Sequence, residues 1–220
     1  MLMPIRLLMF DLDGTLVDTC RDITNALNYA LNSHGLTGLT VEDTKRLVGE
    51  GLAKLVEKVL GGEKDRLRDD VLGKFLDYYR EHIADYSREY PYVRDTLEML
   101  TGYKKAVISN KRESLSTRLL DLLDILKYFD LVVGSDTTSE KKPSAVPVSY
   151  VLQRLEVSAA DALMIGDSNY DIEAARKAGV KTIAVTYGYR GRQYLADADF
   201  MIDSFADLPA VLDITSSQLI

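Results

Sequence analysis

The chain has little of several residue types, and each scarcity excludes a class of protein. Its 220 residues include a single cysteine, Cys20, so no intramolecular disulfide can form, which fits a reducing compartment. Basic residues number 27 against 34 acidic ones, and the net charge of −7 gives no general attraction for nucleic acid or anionic lipid. The N-terminal apolar run is too short to span a bilayer, and an acidic pair stands where a signal peptide would have small residues. We therefore expect a cytoplasmic protein that binds neither nucleic acid nor membrane.

The composition is that of a folded protein with a sizeable core. Hydrophobic residues make up 46% of the chain and charged residues 28%, which is ordinary for a globular domain. The length suits one domain, or a core domain that carries a smaller insertion. Because the chain is acidic, an anionic ligand would need a local cation, and a divalent metal held by carboxylates would supply one.

Five short apolar runs predict the strands of a parallel sheet. Each run is apolar throughout rather than alternating, which indicates burial on both faces of the sheet, and each ends at polar or glycine-containing residues. The predicted strands are residues 6–11, 105–109, 131–134, 162–166 and 182–186. Apolar residues at helical spacing lie between the later strands, including Leu122 before the third predicted strand. This alternation predicts an open, doubly wound α/β sheet.

The segment between the first two predicted strands is much longer than a crossover requires. Residues 16–88 hold no recognisable strand, and their apolar residues recur at the spacing of helices. A crossover between parallel strands needs only about a dozen residues. We therefore predict an inserted α-helical subdomain at residues 16–88, with residues 1–15 and 89–220 forming the core.

Four polar motifs follow predicted strands or precede the next helix. In open parallel sheets, ligands bind beyond the carboxyl ends of the strands, so these motifs are expected to meet. Each motif alone has an ordinary explanation: a turn or calcium loop, a surface loop, a solvated lysine pair, or a helix N-cap. Together, and in this order, they predict one catalytic site. The motifs are Asp11–Thr15, Ser109–Lys111, Lys141–Pro143 and Gly166–Asp171.

The residue types in these motifs indicate phosphoryl transfer. Phosphate monoester hydrolysis is among the slowest uncatalysed reactions, and enzymes accelerate it by up to ~10²¹-fold. An aspartyl-phosphate intermediate would divide that difficult step into two easier ones. Asp11 is the candidate nucleophile. Asp13, two residues further on, can protonate the leaving oxygen as general acid and then activate water as general base.

Oxygen ligands at the same strand ends predict a magnesium site. In proteins Mg²⁺ is held by one or two carboxylates together with waters and substrate oxygens. Asp11 and Asp167 are the predicted carboxylate ligands, and the backbone carbonyl of Asp13 can add another oxygen. Asp171 can bind the metal directly or orient a coordinated water, and we favour the second interpretation.

The remaining polar groups are predicted to bind phosphate. Ser109 and the amide of Asn110 can donate hydrogen bonds to phosphate oxygens. One lysine of the Lys141/Lys142 pair would neutralise the phosphate and keep Asp11 ionised. We choose Lys142 because Pro143 fixes the backbone directly after it. Ser109 and Lys142 thus complete the predicted catalytic set.

These motifs are similar to those of the haloacid dehalogenase (HAD) superfamily, over nearly the whole chain. Asp11–Thr15 resembles the first motif, Ser109 the second, Lys142 the third and Gly166–Asp171 the fourth, and the helical insertion resembles the first cap type. The resemblance implies a Rossmann-like core, an aspartyl-phosphate on Asp11, and Mg²⁺. Dehalogenases of the superfamily lack an acid at the position of Asp13, whereas phosphatases and phosphomutases have one. A phosphoryl-transfer member is therefore implied.

A narrower resemblance is to the phosphoglycolate phosphatases within that superfamily. It rests on Phe10–Asp18, Val48–Leu52 and Ala184–Tyr189. It implies a small phosphorylated metabolite as substrate, and 2-phosphoglycolate is the leading candidate. Pyrophosphatases and sugar-phosphate phosphatases share parts of these stretches, and a β-phosphoglucomutase-like phosphomutase would use the same core. A non-catalytic binding protein on this fold is the last alternative, and the intact carboxylates argue against it.

Some positions depart from the pattern of these relatives or carry no assigned role. Relatives have Pro-Gly where this chain has Pro91-Tyr92, and often a second proline two residues after the Lys-Pro of the third motif, where this chain continues Ser-Ala-Val-Pro. The second departure keeps Lys141 as the alternative to Lys142. Glu50 and Lys54 are candidate substrate selectors without a role assigned to them. The sequence is compatible with a monomer or a homodimer.

Overall fold

The computed structural model describes residues 5–217, and its largest element is a six-stranded parallel sheet. Along the chain the strands are β1 (Leu7–Phe10), β2 (Val17–Asp18), β3 (Arg88–Glu89), β4 (Lys104–Ile108), β5 (Leu131–Val133), β6 (Ala162–Gly166), β7 (Lys181–Val185) and β8 (Phe200–Ile202). The strand order in the sheet is β5-β4-β1-β6-β7-β8, and each neighbouring pair is parallel. Strands β2 and β3 form a separate antiparallel pair. The predicted α/β class with a parallel sheet is confirmed.

Helices connect these strands, and four of them lie between β2 and β3. The helices are α1 (Cys20–Asn32), α2 (Val41–Leu47), α3 (Leu52–Leu60), α4 (Arg68–Glu81), α5 (Val93–Met99), α6 (Glu113–Leu122), α7 (Val146–Arg154), α8 (Asn169–Lys177) and α9 (Leu208–Ser217). Short 3-10 helices lie at Gly62–Leu67, Leu126–Tyr128, Ala159–Asp161, Arg192–Tyr194 and Phe205–Asp207. Within residues 5–217, no helix combines the length and the apolar character needed to cross a lipid bilayer.

The sheet is buried on both faces, as its continuous apolar strands require. In β1, Leu8 and Phe10 join the larger hydrophobic cluster, whereas Leu7 and Met9 join a second cluster on the opposite face. All four residues are fully buried. Side chains of α7 and α8 belong to the second cluster, and those of α5, α6 and α9 belong to the first. Burial of apolar area on both faces therefore fixes β1 at the centre of the molecule.

Helix α8 begins and ends where its sequence indicates. At its start, Ser168 and Asp171 form a reciprocal capping box, in which the Asp171 carboxylate accepts from the Ser168 backbone N–H at 3.1 Å. At its end, Gly179 has φ of +75°, a left-handed conformation that glycine adopts without the steric cost of a Cβ atom. The capping box matters for the site because it fixes the backbone directly after β6 and one oxygen of Asp171.

The five predicted strands are confirmed to within one residue at each end. The prediction that residues 16–88 hold no strand is wrong at both ends, where β2 and β3 form. Those two strands have two residues each, too few to give a periodic pattern. Strand β8 was not predicted either, because it is a three-residue edge strand in an aspartate-rich stretch. Leu122, predicted to belong to an apolar helix face, is 53% exposed.

Candidate active site

The central strands bring three of the predicted site residues to one edge of the sheet. Asp11 directly follows β1, Ser109 follows β4 and Asp167 follows β6. Since β1 lies between β4 and β6, and all three run in the same direction, their carboxyl ends are neighbours. The backbone N–H of Asp11 continues the ladder by donating to the Ile165 carbonyl at 2.9 Å. The sheet topology therefore assembles residues that are far apart in the chain.

Lys142 lies buried between two aspartates at this edge. Its Nζ atom is 2.8 Å from Oδ1 of Asp11 and 2.6 Å from Oδ1 of Asp171, and it donates to the Ile108 carbonyl at 2.5 Å. All three N–H donors of the ammonium group are thus used. Lys141, in contrast, is exposed and donates to the Glu50 carbonyl at 2.5 Å. Of the two lysines left open by the sequence, Lys142 is the one beside Asp11.

Three buried carboxylates surround that single ammonium group. Asp11, Asp167 and Asp171 each offer one carboxylate oxygen, and these oxygens lie within 4.8 Å of one another. Burial, followed by the charge of Asp171, raises the pKa of Asp11 to about 7, although Lys142 acts in the opposite direction. Burial and the charges of Asp11 and Asp171 raise the pKa of Asp167 well above its ordinary value. Three hard oxygen donors with excess negative charge fit a divalent cation such as Mg²⁺.

The loops around Asp167 approach it so closely that two positions require glycine. A Cβ atom on Gly14 would lie 2.4 Å from Oδ2 of Asp167, and one on Gly188 would lie 2.3 Å from its Cβ atom. Gly14 also has φ of +87°, which side-chain-bearing residues rarely adopt. The neighbouring Tyr189 backbone N–H donates to Oδ2 of Asp167 at 2.6 Å. Asp167 is therefore held in place by backbone rather than by a basic side chain.

Asp13 is held by a different set of partners from Asp11. Its Oδ1 atom accepts a hydrogen bond from the Thr19 hydroxyl at 2.7 Å and forms an ion pair with Lys111. The Lys111 side chain is only 7% exposed. Sequence reasoning noted Lys111 in the motif after β4 but gave it no role. The available signal was its place two residues after Ser109, at the edge of the sheet where the other motifs end.

Ser109 and Asn110 follow β4 but make different contacts. Ser109 donates from its backbone N–H to the Val133 carbonyl at 2.9 Å, and its hydroxyl oxygen accepts from the Lys111 backbone N–H at 3.2 Å. The Asn110 side-chain amide donates to the carbonyls of Gly49, at 2.8 Å, and Lys142, at 3.0 Å. Both side-chain N–H donors of Asn110 are therefore used within the protein. The group of Asn110 that can face a phosphate is its backbone N–H.

A cavity of about 340 Å³ lies between this edge of the sheet and the helices that separate β2 from β3. Its floor is polar and includes Asp11, Asp13, Ser109 and Asp167. Apolar side chains of the helical segment form the opposite wall, namely Val48, Leu52, Leu55, Leu72 and Phe75. The described lining includes Gly49 and Gly51, but neither of the two candidate substrate selectors, Glu50 and Lys54. Lys54 instead forms an ion pair with Glu57 at 2.7 Å. The cavity thus combines a charged floor with a water-excluding wall, as small-molecule sites do.

Three side chains of the sheet-bearing part hold one short loop of the helical segment. Arg190 donates to the Val48 carbonyl, Asn110 to the Gly49 carbonyl and Lys141 to the Glu50 carbonyl. We call these three acceptors the 48–50 carbonyl run. Arg190 also donates to the carbonyls of Lys45 and Arg46, at 3.2 and 2.9 Å, at the end of α2. Sequence reasoning missed Arg190, because backbone acceptors leave no residue-type pattern to recognise.

Comparison with known proteins agrees with this architecture. The chain matches the family model described as haloacid dehalogenase-like hydrolase over residues 8–185. A phosphoglycolate phosphatase from Aquifex aeolicus is 40% identical over 210 residues, covering 94% of this chain and 97% of that protein. One from Chromobacterium violaceum is 41% identical over 211 residues, covering 93% and 95%. A solved structure described as a predicted phosphoglycolate phosphatase from Haemophilus somnus 129PT has a TM-score of 0.89 at 30% identity, covering 94% of this chain and 97% of that one.

The family resemblance inferred from the four motifs is confirmed by these matches. The family model spans every strand from β1 to β7, and the structural match extends over nearly the full length of both chains. By sequence and by fold, this chain belongs to the haloacid dehalogenase-like hydrolase family.

Proposed function

We propose that this protein is a phosphatase that hydrolyses a small phosphate monoester through phosphorylation of Asp11, with 2-phosphoglycolate as the leading substrate. The observation that carries the proposal is the pairing of a buried Asp11 with Lys142 on the floor of the cavity, with Asp13 on the same loop. The names of the relatives from Aquifex aeolicus and Chromobacterium violaceum support the choice of substrate.

The carboxylate cluster supports a bound Mg²⁺ ion. Asp11 and Asp167 would hold it, with the backbone carbonyl of Asp13 as a further oxygen ligand. Both oxygens of Asp171 are already engaged, one by Lys142 and the other by the Ser168 hydroxyl at 2.6 Å, so Asp171 is better suited to orient a coordinated water. When bound, the ion supplies positive charge that offsets the cluster and the charge developing on the phosphoryl group.

The protein groups divide the reaction into two displacements. In the first, a carboxylate oxygen of Asp11 forms a bond to phosphorus, the ester bond breaks, and Asp13 gives its proton to the leaving oxygen. In the second, a water oxygen attacks phosphorus as Asp13 takes its proton, and the bond from phosphorus to Asp11 breaks. The Ser109 hydroxyl and the Asn110 backbone N–H would bind the phosphoryl oxygens during both steps, and the Lys142 ammonium group beside Asp11 would supply positive charge to them.

We also propose that residues 16–88 act as a cap over the cavity, with the flanking residues 1–15 and 89–220 as the core. Residues 1–4 and 218–220 of that core lie outside the described part of the chain. The apolar wall contributed by α3 and α4 supports a role in excluding water from the phosphoryl group. The 48–50 carbonyl run supports a close approach of this cap to the sheet edge.

A panel of phosphate esters tests the proposed activity. Phosphate release would be measured from 2-phosphoglycolate, β-glucose 1-phosphate and pyrophosphate, each with Mg²⁺ and with a chelator. We expect steady release from 2-phosphoglycolate that exceeds release from the other two and is abolished by the chelator. Isomerisation of the sugar phosphate without net phosphate release would instead indicate a phosphomutase. If phosphate is released faster from pyrophosphate or from the sugar phosphate, that compound takes the place of 2-phosphoglycolate as the proposed substrate.

Replacing Asp11 tests the proposed nucleophile. Asp11→Asn should lower kcat by at least about 10³-fold, since an amide cannot form the phosphorylated intermediate. Its melting temperature without metal should equal or exceed that of the wild type, because the change removes a buried carboxylate whose pKa is raised. Near-normal turnover by a folded Asp11→Asn protein would contradict the mechanism.

A further inference from the structure

Lys111 lies in the wall of the cavity, and its partners in the protein do not use all of its hydrogen-bonding capacity. Its side chain is 7% exposed and its ammonium group forms an ion pair with Asp13. An ammonium group carries three N–H donors. Within residues 5–217 its partners are the Asp13 carboxylate and the hydroxyl group of Tyr79, whose ring centroid lies 5.4 Å away. Lys111 can therefore keep Asp13 and still donate to a ligand.

The other basic residues that line the cavity are used or exposed. Lys141 donates to the Glu50 carbonyl, and Arg190 donates to carbonyls of the 48–50 run and of α2. Arg112 lies on the surface. Lys111 is thus the buried, cavity-lining cation of the described chain that has donors to spare.

Tyr79 lies beside Lys111, and its hydroxyl proton has no acceptor in the part of the chain that the structure describes. Its side chain is 1% exposed and lines the same cavity. Within the described residues its hydroxyl proton has no acceptor, because the neighbouring Lys111 ammonium group can only donate. Burial raises the pKa of Tyr79 to about 12, so its hydroxyl keeps its proton and remains a donor at neutral pH. Buried polar groups of folded proteins nearly always have a partner, and an incoming acceptor would supply one.

The remaining surroundings favour an acceptor that carries negative charge. Leu72 and Phe75 line the same cavity near Tyr79 on α4. An anionic group placed among such side chains loses its hydration and is bound only where a cation and donors replace the water. Lys111 also lies two residues after Ser109, which is predicted to bind the phosphoryl group. In 2-phosphoglycolate the carboxylate is separated from the ester oxygen by one methylene group.

We propose that Lys111 and Tyr79 bind the carboxylate of the substrate and so select phosphorylated hydroxy acids over neutral phosphate esters. This assignment rests on the proposed phosphatase function and adds to it the group that recognises the end of the substrate away from phosphorus. Lys111 donates to the carboxylate through the N–H groups that Asp13 does not use, and Tyr79 donates through its hydroxyl.

Two substrates that differ only at that end test the proposal. 2-Phosphoglycolate and 2-hydroxyethyl phosphate have the same phosphate and methylene, but the second carries a neutral CH₂OH group in place of the carboxylate. The readout is the ratio of kcat/KM for the two. Lys111→Met should lower the ratio about 10- to 100-fold, as expected for loss of a charge-assisted hydrogen bond. Tyr79→Phe should lower it less, and Lys111→Arg should retain part of it.

Lys141→Met is the matched control, because Lys141 also lines the cavity but donates to a backbone carbonyl. Its ratio should equal that of the wild type. If Lys111→Met reduces both substrates equally, Lys111 acts only through Asp13, and the proposal is wrong. It is equally wrong if Tyr79→Phe and Lys111→Met both keep the wild-type ratio.

Binding to the inert Asp11→Asn protein separates this inference from the proposed activity. The rise in melting temperature caused by each of the two esters would be compared in Asp11→Asn and in Asp11→Asn/Lys111→Met. A preference for 2-phosphoglycolate that disappears with Lys111→Met supports the carboxylate site, even if the wild type releases no phosphate. If the Asp11→Asn protein binds the two esters equally well, the proposed carboxylate site is wrong. The proposed phosphatase activity would then still stand, but with a different substrate specificity.

Discussion

Lys142 sets the balance of charge in the site, since one ammonium group faces several buried carboxylates. Burial by itself would lower the pKa of Lys142, but the Asp11 and Asp171 carboxylates outweigh that effect and raise it to about 12. The lysine is thus charged at every pH at which the protein is expected to work. Removing one member of a buried ion pair costs more than the pair contributes, because it leaves the partner buried without compensation.

Lys142→Met therefore has a predicted cost in stability as well as in activity. Without metal at pH 8, the free energy of unfolding should fall by about 3–5 kcal/mol, because two carboxylates lose their buried partner. Urea denaturation would measure it. The adjacent Lys141→Met should change the free energy of unfolding by no more than about 0.5 kcal/mol, as is usual for exposed positions. Equal stability of the two variants would show that Lys142 does not balance the cluster.

At the scale of elements, the loop between α2 and α3 is the place where the helical segment is held to the sheet. Arg190, Asn110 and Lys141 come from three different loops and donate to consecutive carbonyls of the 48–50 run. Backbone carbonyls at the end of a short helix otherwise lack partners. A single loop therefore carries hydrogen bonds that join the two parts of the molecule, directly above the cavity.

Arg190→Met should loosen this loop. Loss of its charge-assisted hydrogen bonds is expected to increase amide hydrogen exchange in residues 48–56 by about 10-fold, through more frequent local opening. Mass spectrometry of exchanged peptides would detect the change. Arg192→Met is the matched control, since Arg192 pairs with Asp203 on the surface. If both variants exchange like the wild type, Arg190 does not hold the loop.

The sequence predicted elements well where burial leaves a regular pattern. Strands β1, β4 and β6 were found because each contains an unbroken run of at least three apolar residues, and the residues that follow them meet as expected. Helices α2, α5 and α9 were not predicted. Helix α2 has charged residues at four of its seven positions, so its apolar face is too weak to recognise. The contacts of Lys111 and Arg190 could not be predicted, because their partners lie 98 and more than 140 positions away.

At the scale of the whole molecule, the buried carboxylates make stability depend on pH. The pKa of Asp11 is about 7 in the folded protein and near 3.8 in the unfolded chain, so the folded state binds more protons between these values. Stability without metal therefore falls as the pH rises from about 4 to 7, the reverse of the usual effect of an ion-paired aspartate. Asp167, whose pKa is also raised, acts in the same direction.

Added Mg²⁺ should offset this loss, and more strongly at high pH. At pH 8 Asp11 is mostly deprotonated and able to bind the ion, whereas at pH 5.5 protons compete with it. Saturating Mg²⁺ should raise the melting temperature by about 5–10 °C at pH 8, and by clearly less at pH 5.5. Differential scanning calorimetry would measure both. Asp167→Asn should lose most of the increase, and an equal increase at both pH values would contradict the prediction.

The position of β1 also determines the order in which the molecule can be completed during synthesis. Residues 7–10 leave the ribosome first, yet their partners in the sheet are residues 104–107 and 162–165. Pairing across such separations is slow, and apolar strands without partners are prone to aggregate. Among the described strands of the large sheet, β1 thus waits through the longest stretch of synthesis for its second neighbour, and its apolar edge is open to other chains until residue 165 has emerged.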